Sequence, residues 1–167
     1  MSTPAATAAI HYRVEAADLH AHLFRVTLTI AQPAAPQRLS LPVWIPGSYL
    51  VREFSKNLQR LAARQDGKPV ALRQLDKCNW QAEVGASSPL EVSYEVYAFD
   101  NSVRTAWLDT ERGFFNATSL CLRVHGLEHM VHSLDLAPPA ARPQWRAASG
   151  LAGYRLNKRG FGVYPAT

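Results

Sequence analysis

The sequence predicts an all-β domain, either an antiparallel β-sandwich or one large curved sheet, with at most one short helical segment. Three observations carry that prediction. Apolar residues recur at every second position through several runs, the period of a strand with one buried face. Turn residues interrupt those runs about every ten positions, the spacing of two-sheet β folds. Eleven prolines and nine glycines are scattered through 167 residues, which leaves little room for a long helix.

The elements follow in chain order. Residues 1–7 read as a flexible N-terminus, and a first strand covers Ile10–Val14. The next run is the clearest: His22, Phe24, Val26, Leu28 and Ile30 alternate with Leu23, Arg25, Thr27 and Thr29. Pro33 and Pro36 break the chain before a strand over Arg38–Val43. The stretch 51–56 reads as an irregular turn or a short helical piece, because Val51, Phe54, Leu58 and Leu61 recur at helical intervals. A hairpin comes next, with strands Leu58–Gln65 and Val70–Leu75 around the turn Asp66-Gly67-Lys68-Pro69. After a loop at 85–89, Leu90, Val92, Tyr94 and Val96 alternate with Glu91, Ser93, Glu95 and Tyr97, and the strand runs to Phe99. Leu120, Leu122 and Val124 form a further run, and Met130, His132, Leu134 and Leu136 the last one. Residues 137–143 are an extended connector. The β domain is therefore placed at 8–152, and 153–167 reads as a C-terminal extension or the start of a linker.

Composition narrows the function classes. At 47% hydrophobic and 19% charged residues the chain is globular rather than disordered or coiled-coil. No run of about eighteen apolar residues occurs, so a membrane span is not expected. Met1-Ser2-Thr3-Pro4-Ala5-Ala6-Thr7 lacks a basic segment followed by an apolar core, which points to a cytoplasmic address. Cys78 and Cys121 cannot build a disulfide framework and read as two buried thiols in a reducing compartment. The formal charge is +5, but the basic residues are spread singly from Arg13 to Arg159. Phosphate backbones are bound by basic groups gathered on one face, so no nucleic-acid partner is expected.

No catalytic or metal-ligating set stands out. His125-Gly126-Leu127-Glu128-His129 has the H-x-x-E-H order of inverted zinc peptidases, a chemistry that needs both histidines on one helix. Alternating apolar residues flank the string and Gly126 suits a tight turn, so strand–turn–strand is the expectation. His20-Ala21-His22 has no third ligand in view and reads as exposed strand-edge histidines. Asn116-Ala117-Thr118 fits a glycosylation acceptor with nothing else to support that route. A G-x-S-x-G elbow and Gly-rich phosphate loops are both absent. Two clusters mix aromatic, charged and turn residues in non-repeating order. The first is Val43 to Phe54, containing Pro46-Gly47 and the candidates Tyr49 and Arg52. The second runs from Tyr97 to Asn116, with Asp100, Asn101, Arg104 and Asn116 as candidates. From the residues alone these are either turn anchors with buried Arg–Asp pairing or ligand-contacting groups.

The same clusters carry a resemblance. Trp44-Ile45-Pro46-Gly47-Ser48-Tyr49-Leu50-Val51-Arg52-Glu53-Phe54 resembles the W-x-P-G-S-Y-x-x-R-[DE]-[FY] signature in the amino-terminal domain of the glycyl aminopeptidase family of zinc metallopeptidases. Asp76-Lys77-Cys78-Asn79-Trp80 is similar to that family's D-K-x-x-W segment. Tyr94 to Asp100, with Val103-Arg104, Leu108-Asp109 and Phe115-Asn116, resembles its next block. The resemblance implies an all-β module that precedes a thermolysin-like catalytic domain bearing H-E-x-x-H. This chain has no H-E-x-x-H, so the resemblance places zinc and the catalytic glutamate outside it and leaves no catalytic residue, metal or cofactor within. The implied partner is the chain's own catalytic domain, and through it a peptide substrate. The competing reading is a free-standing β-sandwich that binds carbohydrate or protein, with Trp80, Trp107 or Trp145 as a stacking platform.

Overall fold

The computed structural model describes residues 9–166; the flexible N-terminus expected at 1–7 lies outside them. In chain order the elements are β1 (Ile10–Asp18), β2 (Leu23–Ile30), β3 (Gln37–Ser40), a 3-10 turn (Phe54–Asn57), β4 (Leu58–Gln65), β5 (Lys68–Val70), β6 (Leu72–Gln74) and β7 (Asn79–Ala82). Then come β8 (Leu90–Tyr97), β9 (Ala106–Leu108), β10 (Gly113–Phe115), the helix α1 (Ala117–Leu120), β11 (Arg123–Val124), β12 (His132–Ala137), β13 (Arg155–Leu156) and β14 (Gly162–Ala166). An eight-stranded sheet has the order β13-β14-β12-β1-β2-β8-β4-β5, a four-stranded sheet the order β11-β3-β7-β6, and β9 and β10 form a separate hairpin. The all-β expectation holds.

Alternation in sequence becomes rows of side chains across the large sheet. Ile10, Ile30 and Leu90 lie side by side, as do Tyr12, Leu28 and Val92, then Val14, Val26 and Tyr94. All nine are buried, and they share one core with Leu39, Trp80, Ala82 and Val124 of the small sheet. Each row removes contiguous apolar surface from water, worth about 25 cal/mol per Å², while Arg13 and Arg25 point outward. A shift of one residue would send every one of these rows to solvent, so the register is strongly fixed.

The Asp66-Gly67 hairpin forms as expected, with φ of 49° and 74° at its two central residues, the backbone that a two-residue β-turn demands. Its second strand is shorter than expected. The chain breaks at Ala71, so β5 stays with β4 while β6 crosses to pair with β7 in the small sheet. The strand expected over Arg38–Val43 ends at Ser40, and the helical piece expected at 51–56 is the 3-10 turn at 54–57.

Three other expectations change. The expected antiparallel arrangement is broken at one place, because β12 returns to lie parallel to β1, with Val14 opposite Leu136. The stretch 153–167 supplies β13 and β14, which extend the large sheet from β12, and Tyr164 is buried there. Leu120, Leu122 and Val124 are each buried, as the alternation requires, but only Arg123–Val124 is strand. Asn116 accepts hydrogen bonds from the Thr118 backbone N–H (3.1 Å) and hydroxyl (2.7 Å), which starts a short helix instead. The missing strand partner is supplied by two phenols: Tyr94 donates to the Leu120 carbonyl (2.8 Å) and Tyr12 to that of Leu122 (2.6 Å).

Candidate functional site

The loop that follows β3 is built around Ser48. The Leu41 N–H donates to the Cys78 carbonyl at 2.9 Å, which fixes where the chain leaves the sheet. Pro46 and Gly47, the latter at φ 79°, close a tight turn in which the Ser48 N–H donates to the Ile45 carbonyl. The Trp44 indole donates to the Ser48 carbonyl (2.6 Å), and the Arg52 Nε donates to the Ser48 hydroxyl (3.1 Å). Arg52 also donates its backbone N–H to the Val43 carbonyl at 2.6 Å. Phe54, 3% exposed, anchors the far end in the core. Arg52 is thus a clamp that holds the loop's shape. The clamped tip faces water: Tyr49 is fully exposed, and Trp44, Leu50 and Val51 are all more than half exposed.

An open groove beside this loop is lined by Val43, Val51, Glu53 and Ser55 on one side and by Gln74, Asp76 and Cys78 on the other. Lys77 reaches Glu53 across it at 3.4 Å. The first two blocks that carried the resemblance are therefore neighbours in space. The Asp76 carboxylate is held below its usual range by the Asn79 side-chain amide and then by the Cys78 N–H, and it orders the turn into β7. Burial and the neighbouring Asp76 push the Cys78 thiol up. Both cysteines are free and half-buried rather than fully buried.

The second cluster is a tight loop between Phe99 and β9. The Asp100 carbonyl accepts from the Ser102 N–H (2.8 Å) and from the Thr105 hydroxyl (2.8 Å). Asp100 and Asn101 are exposed and Arg104 is half-buried. Among the described residues neither Asp100 nor Arg104 enters an ion pair, so the buried Arg–Asp pairing weighed for this segment does not form. Asn116, the α1 cap, ties the loop from below by donating its N–H to the Thr105 carbonyl at 2.9 Å. Helix α1 in turn packs on the 3-10 turn that ends the first loop. The two clusters meet through that contact; no hydrogen bond joins Tyr49 or Arg52 to Asp100, Asn101 or Arg104 among the described residues.

Sequence reasoning missed an aromatic column that rises beside Asp100. The His22 ring stacks on Phe99 at 3.9 Å between centroids, and Phe99 stacks on Trp107 at 4.3 Å. The Arg112 guanidinium lies 5.9 Å above the Trp107 ring. Phe99 and Trp107 bridge directly across the backbone, and Phe114 is the next cross-strand partner of Trp107. Tyr97, Phe99 and Phe114 keep nearly half their surface in water. His22 is therefore not an exposed strand-edge residue paired with His20. It sits in the β1–β2 turn at φ 58°, with Nδ1 2.6 Å from the Leu108 carbonyl oxygen. Only long-range pairing brings it to Phe99, which no local pattern signals. Asp109 is held below its usual range by the Arg112 and Glu111 N–H groups and by the Trp107 indole, which closes the turn between β9 and β10.

The other candidates resolve as structure. The string His125 to His129 is not helical: Gly126 turns at φ 83°, the His125 Nε2 lies 2.8 Å from the Ser40 hydroxyl, and Glu128 pairs with Arg123 at 2.7 Å. These groups do not converge on one point, so the H-x-x-E-H order of this string does not build a metal site. The flanking strands β11 and β12 belong to different sheets, so the expected hairpin around the string is absent. Trp80 is 6% exposed and cannot serve as a platform for a sugar. No helix among the described residues is long and apolar enough to cross a membrane.

The family model of the Peptidase M61 N-terminal domain matches residues 11–167. A crystal structure of an aminopeptidase N family protein from Idiomarina loihiensis matches with a TM-score of 0.91 at 43% identity, over 94% of this chain and 27% of that one. The chain thus spans about a quarter of that solved protein's length. Among curated proteins no match is found.

Proposed function

Because the chain belongs to the M61 peptidase family, as its N-terminal domain, we propose that it is the non-catalytic module of a zinc-dependent aminopeptidase. In this reading it packs on a thermolysin-like catalytic domain of the same polypeptide and walls one side of the substrate cleft. The observation that carries the reading is the tip of the Ser48-centred loop. Trp44, Tyr49, Leu50 and Val51 stand in water on a backbone that is clamped in place. A rigid, contiguous apolar tip is costly unless another surface covers it. The Idiomarina protein, described as a member of the aminopeptidase N family, supports a peptidase context.

The second loop supplies the polar side of the same wall. An aminopeptidase must recognise a free α-amino group, which carboxylate or amide oxygens hold. Asp100 and Asn101 present such oxygens to solvent, and Arg104 adds a positive charge beside them. Zinc and the general base belong to the catalytic domain, where the metal would activate water. The test uses the longer enzyme with Asp100→Ala, Arg104→Ala and Tyr49→Ala. The expected result is a lower kcat/KM on peptides with small N-terminal residues for the two polar variants, and weakened domain docking for Tyr49→Ala. Unchanged kinetics together with unchanged docking in all three variants would sink the reading.

A further inference from the structure

A cavity of about 470 Å³ is bordered by β10 through Gly113, Phe114 and Phe115. Its floor is the end of the parallel strand pair, with Val14 and Ala16 from β1 and Leu134 and Leu136 from β12. Its roof is the irregular segment from Trp145 to Leu151. At Gly113 the wall is already full: a Cβ there would stand 3.1 Å from Leu108 Cδ1 and 3.6 Å from Trp145 Cζ3. Most of the lining side chains are hydrocarbon; polar groups come from Ser149 and the backbone of the roof, and Arg146 is the one charged residue among them. Arg146 is exposed and makes no ion pair or side-chain hydrogen bond among the described residues.

We propose that this cavity binds a single-chain amphipathic anion, with its hydrocarbon tail under the 145–151 segment and its carboxylate on the Arg146 guanidinium. The volume falls within the range of about 300–1,000 Å³ typical of small-molecule sites. An apolar hole with one cation at its rim selects for a molecule that is apolar along its length and negative at one end. A guanidinium suits a carboxylate because its parallel N–H groups match the two oxygens. This site does not rest on the peptidase reading: its lining shares β10 with the second cluster but includes none of Tyr49, Arg52, Asp100, Asn101 or Arg104.

The experiment is calorimetric titration of the 167-residue chain with octanoate, decanoate and dodecanoate below their micelle concentrations, and with decanol. Saturable binding at one site per chain is expected, tightening about fourfold per added methylene until the cavity is full and then levelling off. Arg146→Ala should weaken decanoate about tenfold or more and leave decanol unchanged. Ala148→Trp, placed on the exposed roof, should block both ligands in a chain whose melting temperature is preserved. Absence of saturable decanoate binding would overturn the proposal. So would affinity that climbs with chain length without limit, or an Arg146→Ala effect of equal size on decanol. If the Ala148 variant fails to fold, the chain-length series and the Arg146 comparison decide the matter alone.

Discussion

Leu122 donates its backbone N–H to the hydroxyl of Tyr94 at 3.2 Å, in a buried position where a neighbouring strand would ordinarily stand. The same hydroxyl donates to the Leu120 carbonyl, so one phenol satisfies two backbone groups of a stretch that belongs to no sheet. Tyr94→Phe keeps the ring and leaves both backbone groups without that partner. A loss of about 1–3 kcal/mol is expected in urea unfolding. Tyr12→Phe acts on the carbonyl of the same Leu122, so the double variant should depart from the sum of the singles.

The same pair sets the alkaline limit. Burial pushes the phenols of Tyr12 and Tyr94 well above their usual range and the Cys121 thiol up to about 12. A group with a raised folded-state pKa contributes stability that is complete while the unfolded chain is also protonated, below about pH 10 for a phenol. Above that pH the unfolded chain ionises first and stability falls as pH rises. The unfolding free energy read from urea titrations should begin to fall at about pH 8.5, where the unfolded-state thiol ionises, and fall more steeply above about pH 10, by up to about 1.4 kcal/mol per pH unit for each group. The decline should be shallower in Tyr94→Phe.

At the tip of the β4–β5 hairpin, Gly67 holds φ 74°. Nothing within 4 Å would meet a Cβ there, so the penalty of Gly67→Ala is conformational alone. A cost of about 1–2 kcal/mol is expected from the left-handed backbone, read as a lower thermal midpoint with an unchanged near-ultraviolet spectrum.

The apolar tip of the Ser48-centred loop should drive weak self-association of the domain on its own. Sedimentation velocity over a concentration series should show reversible dimers, and Leu50→Ser with Val51→Ser should abolish them without lowering stability. Both side chains are mostly in water, so folding does not depend on them. A monomer at all concentrations would mean that the tip is not adhesive.

The α1 cap gives a local test. Asn116→Ala removes the acceptor for Thr118 and should cost about 1 kcal/mol. It should also raise hydrogen exchange across 116–121.

What was readable in the sequence follows from how local each cause is. β2 and β8 are long enough for alternation to declare itself, and Asp66-Gly67 carries its turn chemistry in two adjacent residues. β7 escaped because only Trp80 and Ala82 face inward across four residues, and β9 and β10 are three residues each. Leu120 and Leu122 show that alternation reports burial, while strand pairing needs a neighbour that the local sequence does not name. At the candidate site, Pro46-Gly47 declared the turn, but the role of Arg52 as a clamp on Ser48 depends on a fold-back of four residues. The column from His22 to Trp107 joins residues 85 positions apart (107 − 22), beyond any periodic signal.

The parallel seam between β1 and β12 has a temporal side. Ile10 leaves the ribosome more than a hundred residues before its partner His132. Until β12 emerges, one flank of β1 carries unpaired backbone groups, the kind of open border that invites mispairing with a neighbouring nascent chain. Distant pairing of this kind also slows folding. Completion of this domain therefore waits on β12, more than a hundred residues after β1 has emerged.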